Sequence, residues 1–207
     1  MKLHLASGNA HKVAEFQALA AASGLPVEIV SARAVGGMPP VDEDAGTFVG
    51  NARKKARALL ARLGPGPAWA LSDDSGLCVD ALGGEPGVES AYYAGPEGDP
   101  AANLRKLVAV LHDVPAGRRT ARFICVLVLV GTDGSEAVFE GRCEGNLLVA
   151  PAGGAGFGYD PLFVPEGHAR SFAEMPDRQK NHLSHRAQAW RGLADHLQKQ
   201  LGASAVS

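Results

Sequence analysis

An α/β fold, in which the strands of one sheet alternate with helices, is the class that the sequence predicts. The first apolar segment, Lys2 to Ala6, is followed by a tight turn and a helical pattern, as in a strand–turn–helix unit. Two long apolar segments around Asp133-Gly134 predict a hairpin near the centre of the sheet. A chain of 207 residues can form one sizeable core, as a single domain or as two lobes that share a sheet.

The composition excludes several classes of protein. A net charge of -2 with 20% charged residues gives no field that would hold a nucleic acid polymer. The longest apolar run, Phe123 to Val130, is too short to span a membrane, and the N-terminal apolar segment is too short for a signal peptide. Cys78, Cys125 and Cys143 show no CxxC spacing, which indicates buried thiols in a reducing compartment. We therefore expect a cytoplasmic enzyme or binding protein, with disorder only at Gly202 to Ser207.

The turn Ser7-Gly-Asn9 separates the first strand from a helix over Ala10 to Ala22. That helix is indicated by apolar residues at helical spacing, namely Val13, Phe16, Leu19 and Ala20. A turn of this kind directs backbone N–H groups and the positive end of the helix towards one point, and Lys12 lies one turn further on. The segment could bind a phosphate, or it could be an ordinary turn with a helix N-cap.

An acidic cluster precedes the second helix. A second strand is predicted at Pro26 to Ser31, the acidic segment Val41 to Phe48 follows, and the helix spans Thr47 to Leu63. The acidic residues could be a solvated capping turn. Four basic residues of the helix could form a solvated face or could face an anionic ligand: Arg53, Lys54, Lys55 and Arg57.

The segment Leu71 to Asp80 contains two adjacent carboxylates, Asp73 and Asp74, in an apolar surround. Burying both charges costs several kcal/mol unless a cation or strong donors compensate. An oxygen-only ligand shell favours Mg²⁺. The alternative is a strand that ends at Leu71 in an Asx-type turn, because Asp-Asp-Ser-Gly is good turn chemistry.

The second half of the chain has a helix at Ala101 to Leu111, strands at Thr120 to Val130 and Glu136 to Asn146, and a final helix that carries Trp190. Between them lies Pro151 to Phe163, with four glycines interleaved with aromatic residues. Such a backbone can approach a flat ligand closely while the aromatic faces stack on it, so we favour a ligand site over a structural loop.

Cations cluster near the predicted start of the final helix. Lys180, His185 and Arg186 lie where the helix dipole disfavours positive charge unless an anion or a carboxylate is near. His182 has no comparable context, and we expect it at the surface.

Five motifs in register resemble the inosine triphosphatase, or Ham1-like, family. They are Ser7-Gly-Asn-Ala-His-Lys12, Asp73-Asp-Ser-Gly-Leu77, Gly83-Gly-Glu-Pro-Gly87, Gly156-Phe-Gly-Tyr-Asp-Pro161 and Ser184-His-Arg186, and the match runs from residue 3 to about residue 200. The resemblance implies a long mixed central β-sheet with flanking helices, forming two lobes around a nucleotide cleft, usually in a homodimer. It also implies Mg²⁺-dependent hydrolysis of ITP, dITP and XTP between the α and β phosphates.

The resemblance also implies roles for individual residues. Asp74 is the expected general base and a metal ligand, and Glu43 is the second metal ligand, with Asp42 as the alternative. The expected contacts of the triphosphate are Ser7, Gly8, Asn9, Ala10, His11, Lys12 and Lys55, and Ser75 is expected to touch the substrate. The expected contacts of the base and sugar are Phe157, Gly158, Tyr159, Asp160, Lys180, His185 and Arg186.

Two positions depart from the family pattern. Ser72 stands where alanine is frequent, and Tyr92 stands where a basic residue is common. Two other functions stay open. A septum-inhibitor-like pyrophosphatase would use the same fold on pyrimidine or modified nucleotides, and a regulator would bind nucleotides without hydrolysis. The retained Asp73-Asp74 pair argues against the regulator, because binding does not need a water-activating base.

Overall fold

The computed structural model describes residues 1–204, which contain six strands and five α-helices. The strands are β1 (Lys2–Leu5), β2 (Glu28–Ser31), β3 (Trp69–Val79), β4 (Thr120–Gly131), β5 (Glu136–Leu147) and β6 (Phe163–Pro165). The helices are α1 (Ala10–Ser23), α2 (Phe48–Arg62), α3 (Pro100–Val110), α4 (Asp177–Leu183) and α5 (His185–Ser204).

The sheet has the order β2-β1-β3-β4-β5-β6 and is mixed. Strand β1 pairs in parallel with β2 and β3, whereas β5 and β6 are antiparallel. The mixed α/β architecture that the family resemblance implied is therefore confirmed. No helix within residues 1–204 is long and apolar enough to cross a membrane.

The chain divides into two compact units, and the boundary falls within β3, β4 and β5. The first unit contains residues 1–74, 125–141 and the chain from Arg186 onward, and the second contains residues 75–124 and 142–185. Each unit has its own cluster of buried apolar side chains.

The core of the first unit lies between its strands and the helices α1 and α5. Phe16 of α1 and Trp190 of α5 have ring centroids 6.2 Å apart, and Leu71 of β3 belongs to the same cluster. Burying a side chain of this size stabilises the fold by about 1.5–3 kcal/mol. The amphipathic helices predicted from their apolar spacing are packed here as expected.

The core of the second unit is rich in aromatic rings. The ring of Phe123 lies 4.7 Å from that of Phe163 and 6.2 Å from that of Phe172, measured between centroids. Beside this core, the buried guanidinium of Arg119 donates to the backbone carbonyl of Leu111 at the end of α3. It also donates to the carbonyls of Val114 and Leu148, which lie in loops. A cation at the C-terminal end of a helix is favoured by the helix dipole.

Three details differ from the sequence predictions. Strand β3 continues through Asp73 and Asp74 to Val79, so the predicted alternative of a turn after Leu71 is wrong. The segment that was predicted to lead into the final helix is itself a helix, α4, which ends at Ser184 with a ψ of 157° before α5 begins. Helix α5 continues to Ser204, and the rest of the predicted disorder, residues 205–207, lies outside the described residues.

Candidate active site

The two aspartates of β3 face opposite sides of the sheet, because successive side chains of a strand alternate. Leu71 and Asp73 share the side on which α1 and α5 pack. Ser72 and Asp74 share the side on which α2 packs, where the Ser72 hydroxyl donates to the carbonyl of Ala52 at 2.6 Å. Each carboxylate therefore has a separate set of partners.

Asp73 is fully buried between cations of α1 and α5. Its Oδ2 lies 2.8 Å from Nζ of Lys12 and 3.3 Å from Nε of Arg186. Its Oδ1 lies 3.2 Å from Sγ of Cys125. Burial alone would raise the pKa of Asp73, but attraction to Lys12 and Arg186 outweighs burial and holds the pKa well below its usual range. Arg186 also pairs with Glu15, whose Oε2 lies 3.0 Å from Nη1.

Asp74 forms a second cluster with Lys55 and Glu43. Nζ of Lys55 lies 2.5 Å from Oδ1 of Asp74 and 2.9 Å from Oε2 of Glu43. Burial raises the pKa of Asp74 to about 6, although Lys55 opposes this rise. Burial also acts to raise the pKa of Glu43, but Lys55 is close enough to lower it overall. Oδ2 of Asp74 is buried and has no hydrogen-bond partner among residues 1–204.

The carboxylates of Asp74 and Glu43 fit a hard divalent cation such as Mg²⁺. A buried carboxylate oxygen without a partner is an available ligand, and the second carboxylate shares the same lysine. Within the described chain, no group of three or more histidine, cysteine or acidic side chains could hold a metal. A protein that provides two carboxylates suits Mg²⁺, which keeps several waters and takes substrate phosphates as further ligands.

The acidic segment presents the Glu43 carboxylate to Lys55 of this cluster, whereas Asp42 meets α2 through its backbone carbonyl, which accepts from Nζ of Lys54. The nearest acidic side chain to Lys54 is Asp44. This placement supports Glu43 over Asp42 as the metal ligand. The basic residues of α2 also divide: Arg53 and Arg57 pair with Glu136, and Lys55 alone of the four is buried beside Asp74.

The predicted phosphate turn caps α1. The Asn9 side chain accepts from the backbone amides of His11 and Lys12 at 2.9 and 3.3 Å, and the Asn9 amide donates to Oγ of Ser7. Gly8 and Ala10 of this turn are exposed. An anion bound here would compete with the Asn9 side chain for the backbone amides of His11 and Lys12. The two interpretations of this turn, a helix N-cap and an anion site, therefore involve the same two donors.

In the second unit, the glycine-rich segment brings Asp160 to Lys180. Nζ of Lys180 lies 2.8 Å from Oδ2 of Asp160, which also accepts from the Phe157 amide at 2.8 Å. The same ammonium lies 5.0 Å from the centroid of the Phe157 ring, a cation–π distance. Gly156 has a φ of +73°, and a Cβ at this position would lie 2.3 Å from Oδ2 of Asp160. The segment therefore requires glycine here.

Lys180 lies in the last turn of α4 and not near the start of the final helix, so that prediction is wrong. The helix dipole favours a cation at this end. His185 does begin α5, and its buried ring stacks on Phe123 with centroids 4.7 Å apart and an angle of 11°. His182 is exposed, as predicted.

The remaining predicted contacts occupy different environments. Tyr159 is buried, and its hydroxyl donates to the Ser90 carbonyl at 2.8 Å, so it supports the segment from within the core. Ser75 and Gly158 are half-buried. Tyr92, the departure from the family pattern, is 48% exposed.

Sequence reasoning missed Glu15 and Cys125. Glu15 lies three residues after Lys12, so both side chains share one face of α1, and that spacing could have indicated a cation and an anion on the same side of the helix. Cys125 lies within an apolar strand, and nothing in the local sequence distinguishes a thiol that faces a carboxylate from one that only packs.

A mixed sheet with flanking helices, in which two adjacent buried carboxylates each pair with a lysine, places this chain among the α/β proteins. The chain belongs to the Ham1 family, whose model matches residues 3–196. A protein of Opitutus terrae named dITP/XTP pyrophosphatase is 63% identical over 199 residues, which cover 94% of this chain and 98% of that protein. A protein of the same name from Streptomyces coelicolor is 45% identical over 201 residues, covering 97% of this chain and 99% of that one.

Solved structures agree with this assignment. A HAM1 protein from Coxiella burnetii matches with a TM-score of 0.84 and 35% identity, over 96% of this chain and 99% of that one. The Ham1 protein of Staphylococcus aureus matches with a TM-score of 0.82 and 32% identity, over 97% of this chain and 100% of that one.

Proposed function

We propose that this chain hydrolyses the deaminated purine nucleotides dITP, ITP and XTP to the monophosphate and pyrophosphate. The observation that carries the proposal is Asp74, a buried carboxylate held by Lys55 with one oxygen unpartnered among the described residues. The relatives named dITP/XTP pyrophosphatase support this substrate class. In the reaction, the oxygen of water forms a bond to the α phosphorus, and the bond from that phosphorus to the leaving pyrophosphate breaks.

The first unit would bind the phosphates. Lys12 and Lys55 are cations within reach of the two carboxylates, and ammonium groups neutralise charge that develops on phosphate oxygens. Mg²⁺, held by Glu43 and Asp74, would supply further neutralisation of the phosphate oxygens. Asp74 would accept the proton of the attacking water, while Lys55 fixes the carboxylate through Oδ1.

Asp73 would not touch the reacting atoms. It is 1% exposed, and its oxygens face Lys12, Arg186 and Cys125. Its role is to hold the cations Lys12 and Arg186 in place. The two adjacent acids thus have different roles: Asp74 takes part in the reaction, and Asp73 positions the cations.

The second unit would bind the base. A 6-oxo purine accepts a hydrogen bond where adenine donates one, so a site of N–H donors disfavours adenine by leaving buried donors unpaired. Lys180 and His185 are buried donors of this kind, and the Phe157 ring beside Lys180 could stack on a base. Arg186 of the first unit would be a further substrate contact, since it lies with Lys12 at the Asp73 carboxylate.

A substrate panel tests this proposal. The wild-type protein with Mg²⁺ would be given dITP, ITP, XTP, GTP, dTTP and UTP, with pyrophosphate and orthophosphate measured separately. We expect pyrophosphate without orthophosphate, and a higher kcat/KM for dITP, ITP and XTP than for the others. Preference for dTTP, UTP or modified nucleotides would favour the septum-inhibitor-like alternative. Nucleotide binding without any product would favour the regulator and overturn the proposal.

We also propose that the protein acts as a homodimer in the cytoplasm, with no nucleic acid polymer or membrane as partner. This rests on the family resemblance and on the near-neutral charge. Sedimentation equilibrium would test the dimer, and a mass equal to one chain at micromolar concentration would contradict it.

A further inference from the structure

A thiol lies against the carboxylate that holds the two cations. Cys125 of β4 is 0% exposed, and its Sγ lies 3.2 Å from Oδ1 of Asp73. Burial, and then the negative charge of Asp73, raise the pKa of this thiol well above its usual value, so it remains protonated. An ionised carboxylate can only accept hydrogen bonds, so the S–H group is the donor.

The two oxygens of the Asp73 carboxylate have different partners. Oδ1 receives the thiol, and Oδ2 faces both Lys12 and Arg186. A carboxylate rotates broadly about its terminal torsion unless both oxygens are engaged. A donor on Oδ1 therefore fixes the plane in which Oδ2 meets the two cations.

The other two thiols have no such contact in the described structure. Sγ of Cys143 lies 3.9 Å from the carbonyl of Glu144, and Cys78 is a buried thiol of β3. Packing alone would account for a buried cysteine in the sheet, but it would not account for the contact of the Cys125 thiol with Asp73.

We propose that Cys125 is a positioning residue for nucleotide binding: its thiol orients Asp73, and Asp73 in turn holds Lys12 and Arg186 for the substrate. The inference rests on the proposed function for its substrate. Without the thiol, Oδ1 loses a donor, and the carboxylate is held less closely in the plane in which Oδ2 meets the two cations. The effect falls on KM for dITP more than on kcat, because the thiol meets Asp73, whose side chain faces the opposite side of β3 from that of Asp74.

Three substitutions separate orientation from packing. Cys125→Ser keeps a donor, Cys125→Val fills the space without one, and Cys125→Ala removes both. A packing role favours valine over serine, because a buried hydroxyl costs more than a methyl group. The positioning role predicts the reverse order: KM within about twofold of wild type for serine, and raised roughly fivefold or more for valine and alanine. Cys143→Ala is the matched control and should leave KM unchanged.

A substrate-free measurement tests the hydrogen bond itself. The infrared S–H stretch would be recorded in Cys78→Ala/Cys143→Ala, which retains Cys125, and in Cys78→Ala/Cys125→Ala, which retains Cys143. A carboxylate-bound thiol should absorb at the lower frequency. Equal frequencies, or wild-type KM in Cys125→Val with impaired Cys125→Ser, would overturn the proposal. Absence of pyrophosphate release by the wild type would instead overturn the proposed function, and the infrared result would still stand.

Discussion

Nζ of Lys55 lies 2.5 Å from Oδ1 of Asp74, and this contact joins a buried cation of α2 to a buried acid of β3. Each charge lowers the cost of burying the other, because neither side chain is left unpaired in a poorly solvated site. Attraction to Asp74 and Glu43 raises the pKa of Lys55 even though burial acts to lower it. Lys55 therefore stays charged beside the proposed reaction site.

Asp74→Asn should reduce kcat for dITP by at least about 100-fold, because the amide keeps the shape of the side chain but cannot take a proton from water. Pyrophosphate release under saturating Mg²⁺ and dITP measures the effect. Asp80→Asn is the control, since Asp80 is an acid of the second unit that pairs with Arg122. Release that persists unchanged in Asp74→Asn would show that the base is assigned incorrectly.

Glu43→Gln should raise the Mg²⁺ concentration needed for half-maximal activity by about tenfold or more, because one of two carboxylate ligands is lost. Asp42→Asn should leave it unchanged, since Asp42 meets α2 through its backbone carbonyl and not through its carboxylate. The rise in Tm on adding Mg²⁺ provides a readout that does not depend on activity. If Asp42→Asn weakened Mg²⁺ binding and Glu43→Gln did not, the metal ligand of the acidic segment would be Asp42 and not Glu43.

Asp73→Asn should destabilise the protein by about 3 kcal/mol, because Lys12 and Arg186 lose the anion between them. Urea unfolding of the metal-free protein measures the change. An exposed acid gives the comparison: Asp80→Asn should cost less than about 1 kcal/mol. Equal losses of unfolding free energy in the two variants would mean that the buried ion cluster stabilises the protein no more than an exposed ion pair does.

The pH dependence of the Asp73 contribution has a definite sign. The pKa of Asp73 is depressed in the folded state, so its contribution is present above the unfolded pKa of about 3.9 and is lost as the pH falls towards the folded pKa. The difference in unfolding free energy between wild type and Asp73→Asn should be constant from pH 7 to about pH 5 and shrink below about pH 4. A difference that grew on acidification would contradict the assignment.

Gly156→Ala should destabilise the protein by about 1–2 kcal/mol and raise KM for dITP, because alanine disfavours positive φ and its Cβ would displace Asp160 from Lys180. Gly154→Ala is the matched control in the same segment, where an added Cβ meets nothing within 4 Å. The two KM values and two urea curves make the comparison. A wild-type KM in Gly156→Ala would show that the contact between Asp160 and Lys180 does not contribute to binding of the base.

The elements with strong periodicity were predictable, and the fine placement of charge was not. The apolar spacing of α1 and α2 indicated both helices within two residues of their ends. Asp-Asp-Ser-Gly favours a turn locally, yet β3 runs straight through it because each aspartate gains cations only when the strand continues. Local propensity was overridden by partners that lie far away in sequence.

The break between α4 and α5 was also beyond sequence reasoning. The cations around Lys180 were predicted near the start of the final helix, whereas they belong to a separate helix, α4, which the extended backbone of Ser184 ends. The division places Lys180 at the favourable end of one helix and His185 at the start of another. The sequence showed which residues belong to the candidate site but not which partner each one meets.

The alternation of Asp73 and Asp74 across β3 makes the site sensitive to the length of the strand. Deleting one residue between Trp69 and Ser72 would turn each following side chain to the other face, because the side-chain period of a strand is two. Asp74 would then take the place of Asp73 beside the α1 and α5 cations, and Ser75 would take the place of Asp74 beside Lys55. Insertions and deletions are therefore tolerable in the connecting loops, but one inside this strand would leave a cation cluster without its acid.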